Sequence, residues 1–181
     1  MTDAEDVEPE TYQIMRTIEK SLMDNDNVDL EQYLLFWKHV CKSILTMASK
    51  ESDEGTIRNL KPNRSGTGHL MVLNRALEFV IDMLDGIFTS TDDTAKVTAA
   101  ARSSYDKHLS QFHAWPIRGT VAAALYTLPQ KSEFMVRLRG KMPEKDDEQF
   151  HAVFDKDGRD IVRRVNLLIQ NFDLTNHNPS A

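Results

Sequence analysis

From His69 to Phe88 the apolar residues Leu70, Leu73, Leu77, Val80, Ile81, Leu84, Ile87 and Phe88 recur at spacings of three and four. That period places them on one stripe of an α-helix, and such a stripe must be buried against other elements. The pattern repeats along the chain. Ile14, Met15, Ile18 and Leu22 predict a helix from Tyr12 to Met23. Tyr33, Leu34, Trp37, Val40, Cys41, Ile44, Leu45 and Ala48 predict a second, from Leu30 to about Lys50. Clear two-residue alternation, the mark of half-buried strands, is missing. Several striped helices joined by short loops have to cover one another, so the expectation is a single all-α domain.

The breakers fall between these segments. Asp24 to Asn27 interrupts the first two helices, and one of these residues or Asp29 can cap the second. Glu51 to Gly68 holds Gly55, Pro62, Gly66 and Gly68 and reads as a loop with at most one helical turn. Thr94 to Gln111 carries a weaker stripe of Val97, Ala100, Tyr105 and Leu109. Pro116 suits the first turn of a helix reaching Leu128, with Ile117, Val121, Ala124 and Leu125 buried. A short helix from Ser132 to Arg139, a turn from Gly140 to Pro143 and a long last helix from Lys145 to Phe172 follow, with Gly158 as a bend. Residues 1–10 are expected to be a disordered acidic tail, 11–175 the helical domain and 176–181 a polar tail.

Charge and motif content narrow the function. The chain has 181 residues and a net charge of -6, which speaks against general nucleic-acid binding. Its single cysteine, Cys41, excludes an intramolecular disulfide and fits a small core residue; a reactive thiol would need partners that the sequence does not place. Met1 to Pro9 has neither the basic start nor the apolar run of a secretory signal, and no stretch approaches the ~20 apolar residues of a membrane span. The cytosol is the expected compartment. P-loop, dinucleotide and nucleophile-elbow motifs are missing, and the six His do not fall at zinc spacing. Ser65-Gly66-Thr67-Gly68 lacks the lysine and leading strand of a phosphate loop and reads as a linker. Lys145-Asp146-Asp147-Glu148 reads as an acidic helix start. No enzyme activity, cofactor or metal is expected.

One stretch, Tyr105 to Leu138, carries more specific information. It contains Tyr105, Leu109, Phe112-His113-Ala114-Trp115, Arg118, Tyr126-Thr127-Leu128-Pro129 and Phe134. In these residues it resembles the signature of the glycolipid transfer protein superfamily, and in particular the ceramide-1-phosphate transfer branch. Leu73-Asn74-Arg75-Ala76-Leu77 resembles the family's Arg-Ala-Leu helix, and Leu30 to Trp37 its first core helix. The resemblance covers about Asp29 to Phe172. It implies a two-layer helical sandwich that lifts one sphingolipid from a membrane, with the chains in an apolar cavity and the headgroup in a polar surface site. His113 matches the family histidine that bonds the ceramide amide carbonyl. Trp115 is open to two readings, a membrane-interface anchor or a core residue. Ala122, Ala123 and Ala124 leave room for a cavity, or the same helices close into a packed core.

The match is incomplete. Gly68 and Val72 stand where the phosphate-binding branch has two arginines four residues apart, and where the sugar-binding branch has a tryptophan at the position of Val72. The family's headgroup aspartate has no clear counterpart. Asp53 is the only nearby acid in a Ser-Asp-x-Gly context, and about one family helix and its loop are missing after the Trp37 helix. Arg75 shares the helical face of Gly68 and Val72 and can act as a substitute cation, with Arg118 and Lys107 flanking His113 in sequence; each can equally be a solvated charge. The expected lipid-binding residues are therefore His113, Arg75 and Arg118. The expected function is cytosolic sphingolipid transfer with ceramide 1-phosphate as favoured cargo and transient membrane contact. The alternative is a degenerate module of the same fold that no longer transfers lipid and binds a protein partner or a second copy of itself.

Overall fold

The computed structural model describes residues 8–24, 26–48, 66–92 and 96–171, with the side chains of 41–48 and of 66–67 excepted. Among the described residues eight α-helices carry the fold: α1 Glu10–Lys20, α2 Leu30–Ala48, α3 Gly66–Phe88, α4 Thr98–His108, α5 Trp115–Tyr126, α6 Lys131–Arg139, α7 Asp147–Val153 and α8 Arg159–Asn171. Among the described residues there is no strand, only two isolated bridges, Leu22 with Val28 and Lys96 with Gln130. The all-α expectation holds. Asp53, much of the Glu51 to Gly68 loop, most of the expected tails and the side chain of Cys41 lie outside the description. The site of the expected helix deletion, between α2 and α3, also falls largely on 49–65, outside it.

Local chemistry sets the boundaries. α1 starts inside the expected tail, because Glu8 is held to it: Gln13 Nε2 donates to the Glu8 carbonyl at 2.9 Å and Arg16 pairs with the Glu8 carboxylate at 2.6 Å. Asp29 caps α2 by accepting from the Gln32 N–H at 3.0 Å. α3 begins at Gly66, so Gly66-Thr67-Gly68 forms its first turn rather than a linker. Gly140, at φ 57°, ends α6 in the left-handed region that glycine enters without strain. The acidic start expected near Lys145 is present: a 3₁₀ turn, Glu144–Asp146, leads into α7, and Asp147 accepts two bonds from Arg139 at 3.0 and 2.6 Å.

The layers meet along one core. α1 pairs with α2 and α3 with α4, while the α7–α8 segment touches both α1 and α3. Tyr33 and Phe36 of α2, Leu77 of α3, Phe150 of α7 and Ile161 and Val165 of α8 are fully enclosed. Aromatic rings link the layers: Phe36 lies 5.3 Å from Trp37 and 6.0 Å from Phe154, which lies 4.8 Å from Phe150.

The long last helix expected from Lys145 to Phe172 is not continuous. Phe154–Gly158 forms a π-helical turn between α7 and α8. Gly158 is buried there, and a Cβ on it would stand 3.1 Å from Ile81 Cδ1 and 3.4 Å from Ile18 Cδ1. The bend thus rests on close approach to α3 and α1. Gly158→Leu is expected to lower unfolding free energy by about 2 kcal/mol in urea titrations, because the added atoms have no space.

A second tie joins α3, α4 and α8. Asp82 of α3 accepts from Lys107 Nζ at 2.6 Å, His108 Nε2 at 2.7 Å and Arg159 Nη1 at 3.1 Å. Burial alone would raise the Asp82 carboxyl, but these donors outweigh it and hold the group well below the usual carboxylate range. An acid whose folded value is depressed stabilises the protein fully above its unfolded value, about 3.9, and loses that contribution as pH falls further. Asp82→Asn is expected to cost about 1–2 kcal/mol at pH 7. Denaturation series at decreasing pH should show that cost shrinking progressively below about pH 4.

Candidate functional site

The site is organised by the turn between α4 and α5. After α4 the chain makes a 3₁₀ turn, Ser110–Phe112, and then extends at His113 with φ -104° and ψ 133°. Pro116 cannot donate a backbone hydrogen bond, and its placement in the first turn of α5 lets the helix begin directly after that extended residue. His113 is held in place by Tyr105, whose hydroxyl lies 2.9 Å from Nδ1, with the rings 5.6 Å apart. Tyr105 is almost fully buried, one α4 turn before the helix ends. When its phenol donates to Nδ1, the neutral imidazole carries its proton on Nε2, which has no partner among the described residues. His113 is then an oriented donor. Burial raises the Tyr105 phenol, and the positive charge of Arg118 counters part of that rise. Arg118 itself is exposed on the first turns of α5, so its charge reaches the His113–Tyr105 pair from the solvent side.

Arg75 comes to the same turn from α3. Its guanidinium sits over the Phe112 ring, 3.6 Å from the centroid, one residue before His113. Burial lowers its pKa, and the nearby Glu78 carboxylate acts in the opposite direction. Arg75, Glu78, Asn74, His108, Gln111, Phe112 and Asn166 line a polar pocket of about 210 Å³, floored by Met71 and Ile169. Arg75 thus meets the turn that carries His113, while neither His113 nor Arg118 lines the polar pocket, and Arg118 is tied to the turn only through its charge acting on Tyr105. Lys107 also lines that pocket, where its ammonium pairs with Asp82, 25 residues earlier. Val72 and Gly68 face inward enough to be half-buried and buried, and neither offers a polar side chain.

Some parts of the site escaped sequence reasoning. Phe112 was part of the recognised motif, but its role as a platform for Arg75 depends on α3 crossing the α4–α5 turn. The eight-residue separation of Tyr105 and His113 offered a detectable signal, since both belong to the same motif. Asn74 and Glu78 carried none beyond their adjacency to Arg75.

A second feature lies under α5 and α6. Phe79, Val80, Met83 and Leu84 of α3 face Leu125, Leu128 and Pro129, with Phe134 and Leu138 of α6 and Phe150 and Phe154 closing the space. The apolar cavity they line measures about 520 Å³. Packed cores hold few voids larger than a water, so the helices leave an apolar space here, partly open to solvent, rather than closing fully on one another. The three alanines are not what opens it. Ala123 and Ala124 are exposed, Ala122 is half-buried on the opposite side beside Lys96 and Arg102, and Leu125 is the α5 residue that reaches the cavity. α5 has no fully buried residue, which corrects the burial expected for Ile117 and Ala124. Trp115 is 79% exposed, which rules out its core reading. Among the described residues no helix is long and apolar enough to cross a membrane, and no group of three or more potential metal ligands occurs.

Comparison with known proteins places these features. The model of the glycolipid transfer protein family matches residues 13–140. Mouse pleckstrin homology domain-containing family A member 8 is 32% identical over 108 residues, covering 59% of this chain and 19% of that protein. Human ceramide-1-phosphate transfer protein is 33% identical over 81 residues, covering 45% of this chain and 37% of that protein. Each of these matches thus spans well under half of the relative's length. Among solved structures, human ceramide-1-phosphate transfer protein in complex with 12:0 ceramide-1-phosphate superposes with a TM-score of 0.71 at 18% identity, covering 89% of this chain and 95% of that one. The apo-form of the mouse protein gives 0.68 at 18% identity, covering 91% and 97%. The helical architecture agrees with these solved structures, the Tyr105 to Leu138 motif lies wholly within residues 13–140, and the chain belongs to the glycolipid transfer protein family.

Proposed function

We propose that this protein binds a single sphingolipid and carries it between membranes, with ceramide 1-phosphate as the favoured cargo. The observation that carries this reading is the pocket of about 520 Å³ between α3, α5 and α6, which is lined almost wholly by apolar side chains. Exposing a lipid chain to water costs about 0.8 kcal/mol per CH₂, so a carrier has to offer a dry interior of this kind. His113 is suited to donate from Nε2 to the ceramide amide carbonyl, because Tyr105 occupies its other nitrogen. The phosphate is assigned to the positive charge of Arg75 and Arg118. Glu78 offsets Arg75 inside the pocket, so the exposed Arg118 supplies the second cation from outside. The exposed Trp115 and Ile117 at the start of α5 give an aromatic and aliphatic contact for the membrane interface during uptake and release. The names of the relatives support the choice of ceramide 1-phosphate. No covalent step is involved, and the protein acts at membrane surfaces from the aqueous phase of the cytosol.

The same α5 favours a second reading. Trp115, Ile117 and Tyr126 leave a helix with no enclosed side chain, a face that a protein partner or a second copy can cover. Concentration-dependent association in sedimentation, without any lipid transfer, would select that interaction module over the carrier.

The deciding experiment follows fluorescent ceramide 1-phosphate between vesicles, with a neutral glycosylceramide run beside it. The carrier reading expects transfer of the phosphate lipid in excess of the neutral one. His113→Leu is expected to slow transfer about tenfold, the loss of roughly one hydrogen bond to the ligand, with an unchanged melting temperature. Undiminished transfer by that variant removes His113 from the site. Arg75→Ala and Arg118→Ala should each reduce the preference for the phosphate lipid, the first also by removing its packing on Phe112.

A further inference from the structure

The segment after α3 reads Thr89-Ser90-Thr91-Asp92-Asp93. A hydroxyl followed by acids at the second and third positions is a segment that an acid-directed protein kinase can read, through basic side chains that pair with the carboxylates. The stretch is reachable: Thr89, Thr91 and Asp92 are exposed and Ser90 is half-buried. The Ser90 hydroxyl is weakly held. It donates to the Asp92 carbonyl at 3.5 Å and accepts from the Asp92 N–H at 3.4 Å, both at the long limit of a hydrogen bond. Thr89 is held more firmly, its hydroxyl donating to the Asp85 carbonyl at 2.7 Å.

Ser90 is also set apart by its surroundings. With Lys96 and Lys131 it lines a small pocket of about 90 Å³, and among the described residues no acid lines it. Lys131 Nζ donates to the Ser90 carbonyl at 2.7 Å, so one ammonium already stands at this residue. A phosphoryl group on serine carries a charge of about -1.5 to -2 at pH 7 and three acceptor oxygens. Two ammonium groups match that charge. The acids that follow Ser90 in sequence oppose it, so capture of the phosphate depends on both lysines.

The two lysines belong to the corner that walls the apolar space. Lys131 is the first residue of α6, and Lys96 forms an isolated bridge with Gln130. The Val97 N–H donates to the Pro129 carbonyl at 3.3 Å, and the Thr98 hydroxyl to the Leu125 carbonyl at 2.8 Å. Leu125, Leu128 and Pro129 in turn line the apolar space. We propose that Ser90 is a phosphorylation site whose phosphate is gripped by Lys96 and Lys131, fastening the end of α3 to the corner between α5 and α6. In the modification, Ser90 Oγ forms a bond to the γ-phosphorus of ATP and the bond from that phosphorus to the bridging oxygen breaks. ADP leaves, and the hydroxyl proton passes to the base of the kinase. The inference stands apart from the carrier reading, since it assigns a modification and its effect on the corner, whatever the apolar space holds.

The test treats the full chain with casein kinase 2 and magnesium ATP and maps the modified residue by mass spectrometry. Phosphate on Ser90 is expected, and Ser90→Ala should abolish it. The phosphorylated protein is expected to melt about 2–4 °C higher. Its amides over residues 125–131 should exchange with deuterium about fivefold more slowly. In the double variant Lys96→Gln, Lys131→Gln the modification should occur without either change. Lys131→Arg, which keeps a cation, should retain both. Lack of phosphate on Ser90, including modification of Thr89 or Thr91 alone, overturns the proposal. So does a Ser90 phosphate that leaves melting and exchange unchanged or shifts them the other way, and so does a shift that survives in the double variant. Should circular dichroism show that the double variant does not fold, Lys96→Gln decides: an undiminished shift in that variant, folded, overturns the proposal.

Discussion

The carboxylate of Asp82 stands where α3, α4 and α8 converge, and the structure around the polar pocket is referenced to it. A half-enclosed charge has to be matched by donors or neutralised, and here the donors come from two different helices. Lys107 and His108 anchor the end of α4, while Arg159 anchors the start of α8. Those two helices then form the walls of the pocket that contains Arg75. The position of His113 follows, because the α4–α5 turn can only begin where α4 stops. One ion cluster thus fixes the frame in which the candidate ligand groups are presented.

Much of the architecture was legible in the sequence because helical stripes report burial directly. The α3 stripe predicted Leu77, Ile81, Leu84 and Ile87 on one side, and all four are buried. His113 was legible because it belongs to a local motif whose spacing is read along the chain. What stayed hidden depends on distant partners. Lys107 looked like a neighbour of His113, but an acid 25 residues upstream claims it. The break in the last helix was anticipated at Gly158 only as a bend, and the residues that a side chain there would meet, Ile81 and Ile18, are not local. The burial of Asn74 gave no signal because its hydrogen-bond partner, Asn166, lies 92 residues away.

The cavity and the exposure of α5 are two sides of one arrangement. α5 offers Leu125 to the apolar space, Val121 and Ala122 are half-buried, and Trp115, Ile117 and Tyr126 face outward. A helix held by so few enclosed side chains contributes little to the stability of the domain and costs little to displace. The wall of the cavity is therefore its least firmly fastened part, while the polar pocket beside it is braced by Asp82. This division suits a protein that must admit long apolar chains yet keep its polar contacts in register.

The π-turn at Phe154–Gly158 has a bearing on how the two faces of the molecule stay matched. Such a turn is geometrically equivalent to one residue added to an α-helix, and each residue advances a helix by about 100°. α8 is therefore phased relative to α7 by that single extra residue. With it, Ile161, Val165 and Ile169 point inward while Asn166 meets Asn74. Loss of one residue from the turn would rotate the whole of α8 about its axis, exchanging an asparagine for a neighbour of different chemistry at the pocket wall. The chemistry of the pocket wall is thus set by the length of a turn that lies outside the pocket, as well as by the residues that line it.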